Sequence, residues 1–130
     1  MSELFQIEFK VRDYECDMQG IVNNANYLHY LEHTRHEFLH HIGLDFEKLT
    51  REGILLVVKR IELDYSLPLR SGDSFIVDCQ TQRISPLRFG FIQSIRRLED
   101  NKSIATARVI GTAINRLGRP FLPPEIDQAF

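Results

Sequence analysis

Two groupings of side chains in this sequence have types and spacing that could do chemistry. The first is Asp17-Met18-Gln19-Gly20-Ile21-Val22-Asn23-Asn24, a carboxylate in a tight glycine-bearing segment followed by two asparagines able to cap a helix. A helix N-terminus presents unpaired backbone N–H groups and the positive end of the helix dipole. Such a place polarises a carbonyl and stabilises the oxyanion that develops on attack. Asp17 beside it would be a nucleophile or general base; without that context it is a turn residue or cap. The second grouping is His36-Glu37-Phe38-Leu39-His40, which has the H-E-x-x-H spacing of zinc proteases; His29 and His33 extend it to i, i+4, i+7 and i+11. Cys16 adjoins Asp17 but has no sequence-adjacent histidine to take its proton. Asp13 and Glu15 read as turn or ion-pair residues.

The elements that must position these groups follow from periodicity. Phe5, Ile7, Phe9 and Val11 alternate with Gln6, Glu8, Lys10 and Arg12, the pattern of a half-buried strand. Asp13 to Gly20 is turn-like. From Asn23 or Asn24 to about Ile42 the chain lacks Gly and Pro, and Gly43 stops it, which predicts an amphipathic helix of about five turns. Tyr27, Leu31, Phe38 and Ile42 fall on one stripe, with Leu28 and Leu39 at its edge. His29, His33, His36 and His40 fall on the opposite, polar face. They therefore read as a solvated or interfacial helix face, and no metal is expected. A short helical piece, Asp45 to Arg51, follows.

The remainder reads as strands. Leu55, Val57, Ile61, Leu63 and Tyr65 alternate with charged residues; Phe75, Val77 and Cys79 alternate with Asp78, Gln80 and Gln82. Arg88 to Arg97 is a third run, Asp100-Asn101 a hairpin signal, and Ser103 to Asn115 the last strand. Ala105, Ala107, Gly111 and Ala113 give that strand one face of small residues. The tail, Pro120 to Phe130, reads as irregular. One strand, one long helix and four strands on short turns form no βαβ repeat. The fold class predicted is α+β, with a five-stranded antiparallel sheet wrapped around one long central helix. One helix covers only part of such a sheet, so a homo-oligomer is expected.

Composition narrows the partners. The 130 residues suit a single domain spanning 1–130. Sixteen basic against eighteen acidic side chains leave a formal charge of −2, without the basic excess that nucleic acid or an anionic membrane requires. No apolar run approaches the roughly 18 residues of a membrane span. The opening MSELFQIEFK alternates and carries charge, unlike a signal peptide. Cys16 and Cys79 are far apart and form no C-x-x-C, so a reduced cytoplasm is the expected location.

The Asp17 segment resembles the active-site segment of the hotdog-fold acyl-CoA thioesterases, the 4-hydroxybenzoyl-CoA thioesterase-like family. Its pattern is D-x-x-G, two apolar residues, a polar pair, and N-Y at the start of the long helix. Here that is Asp17, Gly20, Ile21-Val22, Asn23-Asn24 and Asn26-Tyr27. Tyr65-Ser66-Leu67-Pro68 with Gly72-Asp73, Arg88-Phe89 with Ile95-Arg96-Arg97, Ala105-Thr106-Ala107, and Arg119-Pro120 through Pro123-Pro124 continue the similarity in order.

The resemblance implies hydrolysis of an acyl-CoA thioester without metal or organic cofactor, at sites between the protomers of a dimer or tetramer. By position, Asp17 is the catalytic carboxylate, as nucleophile or as activator of water. Gly20 allows close approach of substrate. The backbone N–H near Asn24, next to Asn23, meets the thioester carbonyl. Tyr27 walls the acyl pocket or belongs to the core. Arg88, and after it Arg83, meets the nucleotide or pantetheine end of CoA or stands as an exposed strand arginine. Relatives carry a histidine at the place of Asn24, and the long-chain and plant-type thioesterases carry one at the place of Ile21; this chain has neither. Two other readings stay open: an acyl-carrier-protein substrate, which calls for a basic rim of Arg83, Arg88, Arg96 and Arg97, and a non-catalytic acyl-binding protein.

Overall fold

A computed structural model describes residues 4–130, so Met1 to Glu3 of the opening stretch lie outside the described residues. Strand β1, Phe5–Lys10, has the alternating burial its sequence predicts. A single 3-10 turn, Asp13–Glu15, and the Asp17 loop lead into helix α1, Asn24–His41, followed by the short α2, Phe46–Arg51. Strands β2 (Leu55–Tyr65), β3 (Ser74–Ser85), β4 (Arg88–Arg97) and β5 (Ser103–Ile114) complete the main sheet. Its order is β1-β3-β4-β5-β2, with every pair antiparallel, and β2 forms one outer edge. The α+β architecture and the single long helix are as the sequence predicts.

Local chemistry fixes the ends of α1. The Asn23 side chain accepts from the Ala25 N–H at 2.9 Å, satisfying one donor that the first turn leaves unpaired. At the other end Gly43 has φ +89°, and the Gly43 and Leu44 N–H groups bond back to the His40 and Leu39 carbonyls. That pair of bonds is a Schellman stop, and its left-handed residue favours glycine.

The helix packs on one face of the sheet through Tyr27, Tyr30 and Leu31, which join Phe75, Val77, Ile95, Ala105 and Ala107 in one core cluster. A second cluster gathers Leu39, Leu49, Phe89, Phe91, Val109, Ala113 and Ile126. The face of small residues read from β5 is thus buried. At Gly111 an added Cβ would lie 2.8 Å from the Val57 carbonyl oxygen and 3.0 Å from the Phe89 ring.

Three details differ from the sequence reading. The buried face of α1 is Tyr27, Tyr30, Leu31, Thr34, Arg35 and Leu39, while Leu28 and Ile42 stay exposed. Burying Thr34 and Arg35 is possible because each finds a hydrogen bond, to the Tyr30 carbonyl and to Gln93. In β2 a bulge between Val58 and Arg60 shifts the alternation, so Leu56 and Val58, rather than Leu55 and Val57, share a face with Ile61, Leu63 and Tyr65. The tail is ordered: Pro120–Phe121 adds a sixth strand, β6, to β5, and α3, Pro124–Asp127, buries Ile126. Phe130 then packs on Phe89 and Phe91. The alternating and helical periods do not show such short apolar anchors.

Candidate active site

Asp17 sits in a turn closed by its own backbone. Its N–H donates to the Ile21 carbonyl at 2.9 Å, and the Gly20 N–H returns to the Asp17 carbonyl at 3.0 Å. The Gln19 N–H donates to Asp17 Oδ1 at 2.8 Å. Among the described residues nothing donates to Oδ2, which faces solvent on an exposed loop. Gly20 has φ +81° with open space where a Cβ would project, so its role is conformational and it leaves the approach clear. The bridges Cys16 to Val22 and Ile21 to Arg70 hold both flanks of the loop, and the Val22 N–H donates to the Leu69 carbonyl at 2.8 Å.

The loop delivers the chain directly to the start of α1. The Asn23 side chain is occupied with capping Ala25, and the Asn26 amide donates to the Glu15 carbonyl at 2.7 Å, tying the helix start to the loop. The Asn24 carbonyl accepts from the Tyr65 hydroxyl at 3.2 Å. Among the described residues the Asn24 N–H meets no acceptor, so the first turn keeps one free donor, seven residues along the chain from the exposed carboxylate. A carboxylate and an unpaired helical N–H so arranged can supply a base or nucleophile and polarise a carbonyl.

Tyr27 belongs to the core: it is 2% exposed, and its hydroxyl accepts from the Leu69 N–H at 3.1 Å. Burial pushes its phenol above the ordinary value. The aromatic ring left open to solvent at the helix start is Tyr65, stacked edge-on against Tyr27 at 5.2 Å. In the sequence Tyr65 reads as a strand residue and as part of the Tyr65-Ser66-Leu67-Pro68 motif, not as a site residue. Cys16 is half-buried and its thiol is pushed up, first by burial and then by the charges of Asp13, Asp17 and Glu15. A thiol held protonated is a poor nucleophile.

The arginines do not form one rim on a single chain. Arg88 begins β4 and Arg97 ends it, roughly 30 Å apart at strand spacing. Arg97 donates to the Pro68 carbonyl, next to the Leu69 that anchors Val22, so the Asp17 loop lies at the Arg97 end. Within one protomer Arg88 and Asp17 are therefore not brought together. Arg83 is paired with Asp127 of α3, and Arg97 with Asp100 at 2.8 Å.

His29, His33, His36 and His40 lie on the exposed face of α1, as their phase predicts. Among the described residues no group of three or more His, Cys, Asp or Glu side chains is placed to hold a metal ion. Among them also no helix is long and apolar enough to cross a membrane.

One long helix laid on an antiparallel sheet, with a carboxylate loop feeding the helix N-terminus, defines a hotdog-fold domain of the thioesterase type. The chain matches the thioesterase-like superfamily over residues 11–130 and belongs to it, a family of thioester hydrolases. It is 38% identical over its whole length to the acyl-acyl carrier protein thioesterase ATL3, chloroplastic, of Arabidopsis thaliana, of which it spans 69%; of the related ATL2 it spans 57%. It is 30% identical over 81% of its length to the long-chain acyl-CoA thioesterase FadM of Escherichia coli, covering 78% of that protein. A solved structure from Aquifex aeolicus superposes with a TM-score of 0.88 at 28% identity, covering 96% of this chain and 98% of that one.

Proposed function

We propose that the protein hydrolyses acyl-CoA thioesters, with Asp17 as the catalytic carboxylate. The observation that carries this reading is the exposed Asp17 carboxylate, with Oδ2 unpartnered among the described residues, in a hydrogen-bonded turn that leads within seven residues to the unpaired Asn24 N–H at the start of α1. The Asn24 N–H binds the thioester carbonyl and stabilises the negative charge that grows on it. Asp17 attacks the carbonyl carbon or draws a proton from the attacking water. The C–S bond then breaks and the thiolate takes a proton, from the Asp17 carboxyl where Asp17 has acted as base and from water where it has attacked; in the latter case water then cleaves the aspartyl–acyl anhydride, and the acid is released with the Asp17 carboxylate restored. Gly20 keeps the carbonyl's approach open. The chain needs no metal or organic cofactor for these steps, and Arg88 binds the nucleotide end of CoA.

The separation of Arg88 from Asp17 in one chain, and the open edge of β2 with Leu55, Val58, Ile61 and Tyr65 exposed, support a homo-oligomer with sites between subunits. Two reduced cysteines accord with the cytoplasm. The test is free-thiol release from short, long and aromatic acyl-CoAs by wild type and Asp17→Asn. Turnover that survives the substitution undiminished rules out the Asp17 assignment.

A second reading is favoured by the 38% identity to ATL3: hydrolysis of acyl chains on a carrier protein. A carrier protein is acidic, and the engagement of Arg83 and Arg97 by Asp127 and Asp100 argues against a free basic rim. Rates on matched CoA and carrier-protein thioesters separate the two.

A further inference from the structure

Arg35 is the one charged residue among the buried residues of α1, and it lines a cavity between the helix and the sheet. It is 7% exposed. Its Nη1 donates to Gln93 Oε1 at 3.1 Å, and Gln93, itself fully buried, donates from Nε2 to the Leu31 carbonyl at 3.1 Å. Gln93 thus fixes the guanidinium from the sheet side. Among the described residues Arg35 makes no ion pair, and its other nitrogens are not among the buried side-chain atoms left without a partner. Those donors therefore keep access to open space. The space is a cavity of about 130 Å³, walled by Leu39, Phe89, Phe91, Val109 and Leu56, with Glu32 and His36 at its margin. The Phe91 ring centroid lies 6.0 Å from Arg35 Cζ. Burial lowers the Arg35 pKa from 12.5, but an arginine stays charged at neutral pH.

A row of β2 side chains runs along the sheet between this cavity and the helix start. Tyr65, Leu63, Ile61, Val58 and Leu56 pair with Ala105, Ala107, Val109, Gly111 and Ala113, so all lie on the face that bears α1. Tyr65 donates to the Asn24 carbonyl at one end; Leu56 and Val58 line the cavity at the other. Ile61 and Val58 are 39% and 50% exposed on one chain, so the row is open along its side there, the side that a partner on the β2 edge would close. From Asn24 to Arg35 is eleven helical steps, roughly 17 Å.

We infer that the cavity receives the far end of the acyl chain, and that Arg35, positioned by Gln93, hydrogen-bonds an acceptor oxygen carried there, a carbonyl or a carboxylate. This rests on the thioesterase reading and deepens it. A plain hydrocarbon end covers the donors of Arg35 and leaves them unpaired, which penalises it; an oxygen pairs them. The substrate class is an acyl thioester oxygenated away from the thioester carbon.

The experiment compares three matched CoA thioesters at chain lengths from octanoyl to palmitoyl: the plain chain, the chain ending in a methyl ketone, and the chain ending in a carboxylate. Wild type and the variants Arg35→Met and Arg35→Lys are assayed for kcat/KM. The wild type is expected to favour one oxygenated end over the plain end by about ten-fold or more at one chain length. Arg35→Met brings that ratio, taken between substrates within the variant itself, down to about one, and Arg35→Lys restores part of it. Which oxygenated end wins tells carbonyl from carboxylate. Turnover with no preference in the wild type overturns the inference and leaves the thioesterase reading intact. Should no thioester be turned over, calorimetric titration with the free dicarboxylic and keto acids decides: binding lost in Arg35→Met upholds the cavity without the reaction, and absence of binding overturns it. If Arg35→Met fails to fold, the wild-type ratio and its partial loss in Arg35→Lys decide between the same two outcomes.

Discussion

The chemistry of the Asp17 loop rests on which atoms are occupied and which are left free. Oδ1 is tied to the Gln19 N–H, so the carboxylate is oriented by its own turn, and Oδ2 is the oxygen available to a substrate or water. Asp17→Asn keeps the turn's acceptor and removes the charge. It is expected to lower kcat by about 10²- to 10⁴-fold, the range of a lost general base, with an unchanged melting temperature. Cys16→Ser should leave kcat within a few-fold of wild type, since burial and three neighbouring carboxylates hold the thiol protonated; a kcat loss as large as that of Asp17→Asn would reassign the nucleophile. Tyr27 acts on stability. Its hydroxyl is the acceptor for the buried Leu69 N–H, so Tyr27→Phe strands that donor at a cost of about 1–3 kcal/mol, read as a lower denaturant midpoint.

At the scale of elements, α1 carries both the site and the means of displacing it. Gly43→Ala forces an L side chain into φ +89° at the Schellman stop and should cost about 1–2 kcal/mol in a chemical melt. Partial burial against Phe46 lowers the pKa of His36 below 6.5, with Arg35, His33 and His40 acting in the same direction and Glu32 opposing. The unfolded chain then binds a proton at His36 near pH 6.5 while the native helix does not. Stability should therefore fall as pH drops through 6.5 toward the lowered native value, and His36→Gln should flatten that slope. A slope unchanged in the variant would assign it to other groups. The ends of α1 were legible because caps are local: Asn23 and Gly43 announce them within a residue or two. Its buried face was less so. Thr34 and Arg35 are polar, and what admits Arg35 to the core is Gln93, 58 residues further on, a partner that no periodicity reveals. The β2 bulge escaped for a related reason, since Leu55 to Val58 are apolar without a break and either phase of the alternation fits them. The Asp17 loop was legible through its turn chemistry and its family pattern, whereas the Arg35 cavity exists only once α1, α2, β2, β4 and β5 have met.

The whole molecule poses a geometric problem that one chain does not solve. Asp17 lies beside the Arg97 end of β4 and Arg88 at the other, roughly 30 Å away, yet both are assigned to one bound thioester. Among the described residues the outer edge of β2 is unpaired, and Met18, beside Asp17, is fully exposed. A two-fold dimer places the same surface of each chain against the other, so a residue at one end of a protomer can meet the opposite end of its partner. Sedimentation should accordingly show a dimer or larger assembly. The sharper test is complementation. Asp17→Asn and Arg88→Ala, each assayed alone below the KM for CoA thioester, should both be impaired. Unfolded together and refolded, they should regain activity, because a mixed dimer contains one site with both native residues and one with neither. Random pairing makes about half the dimers mixed, which predicts recovery of about a quarter of the wild-type sites. A mixture no more active than the mean of its components would mean that Arg88 does not serve the partner's Asp17, and a fully active monomer would remove the need for a partner altogether.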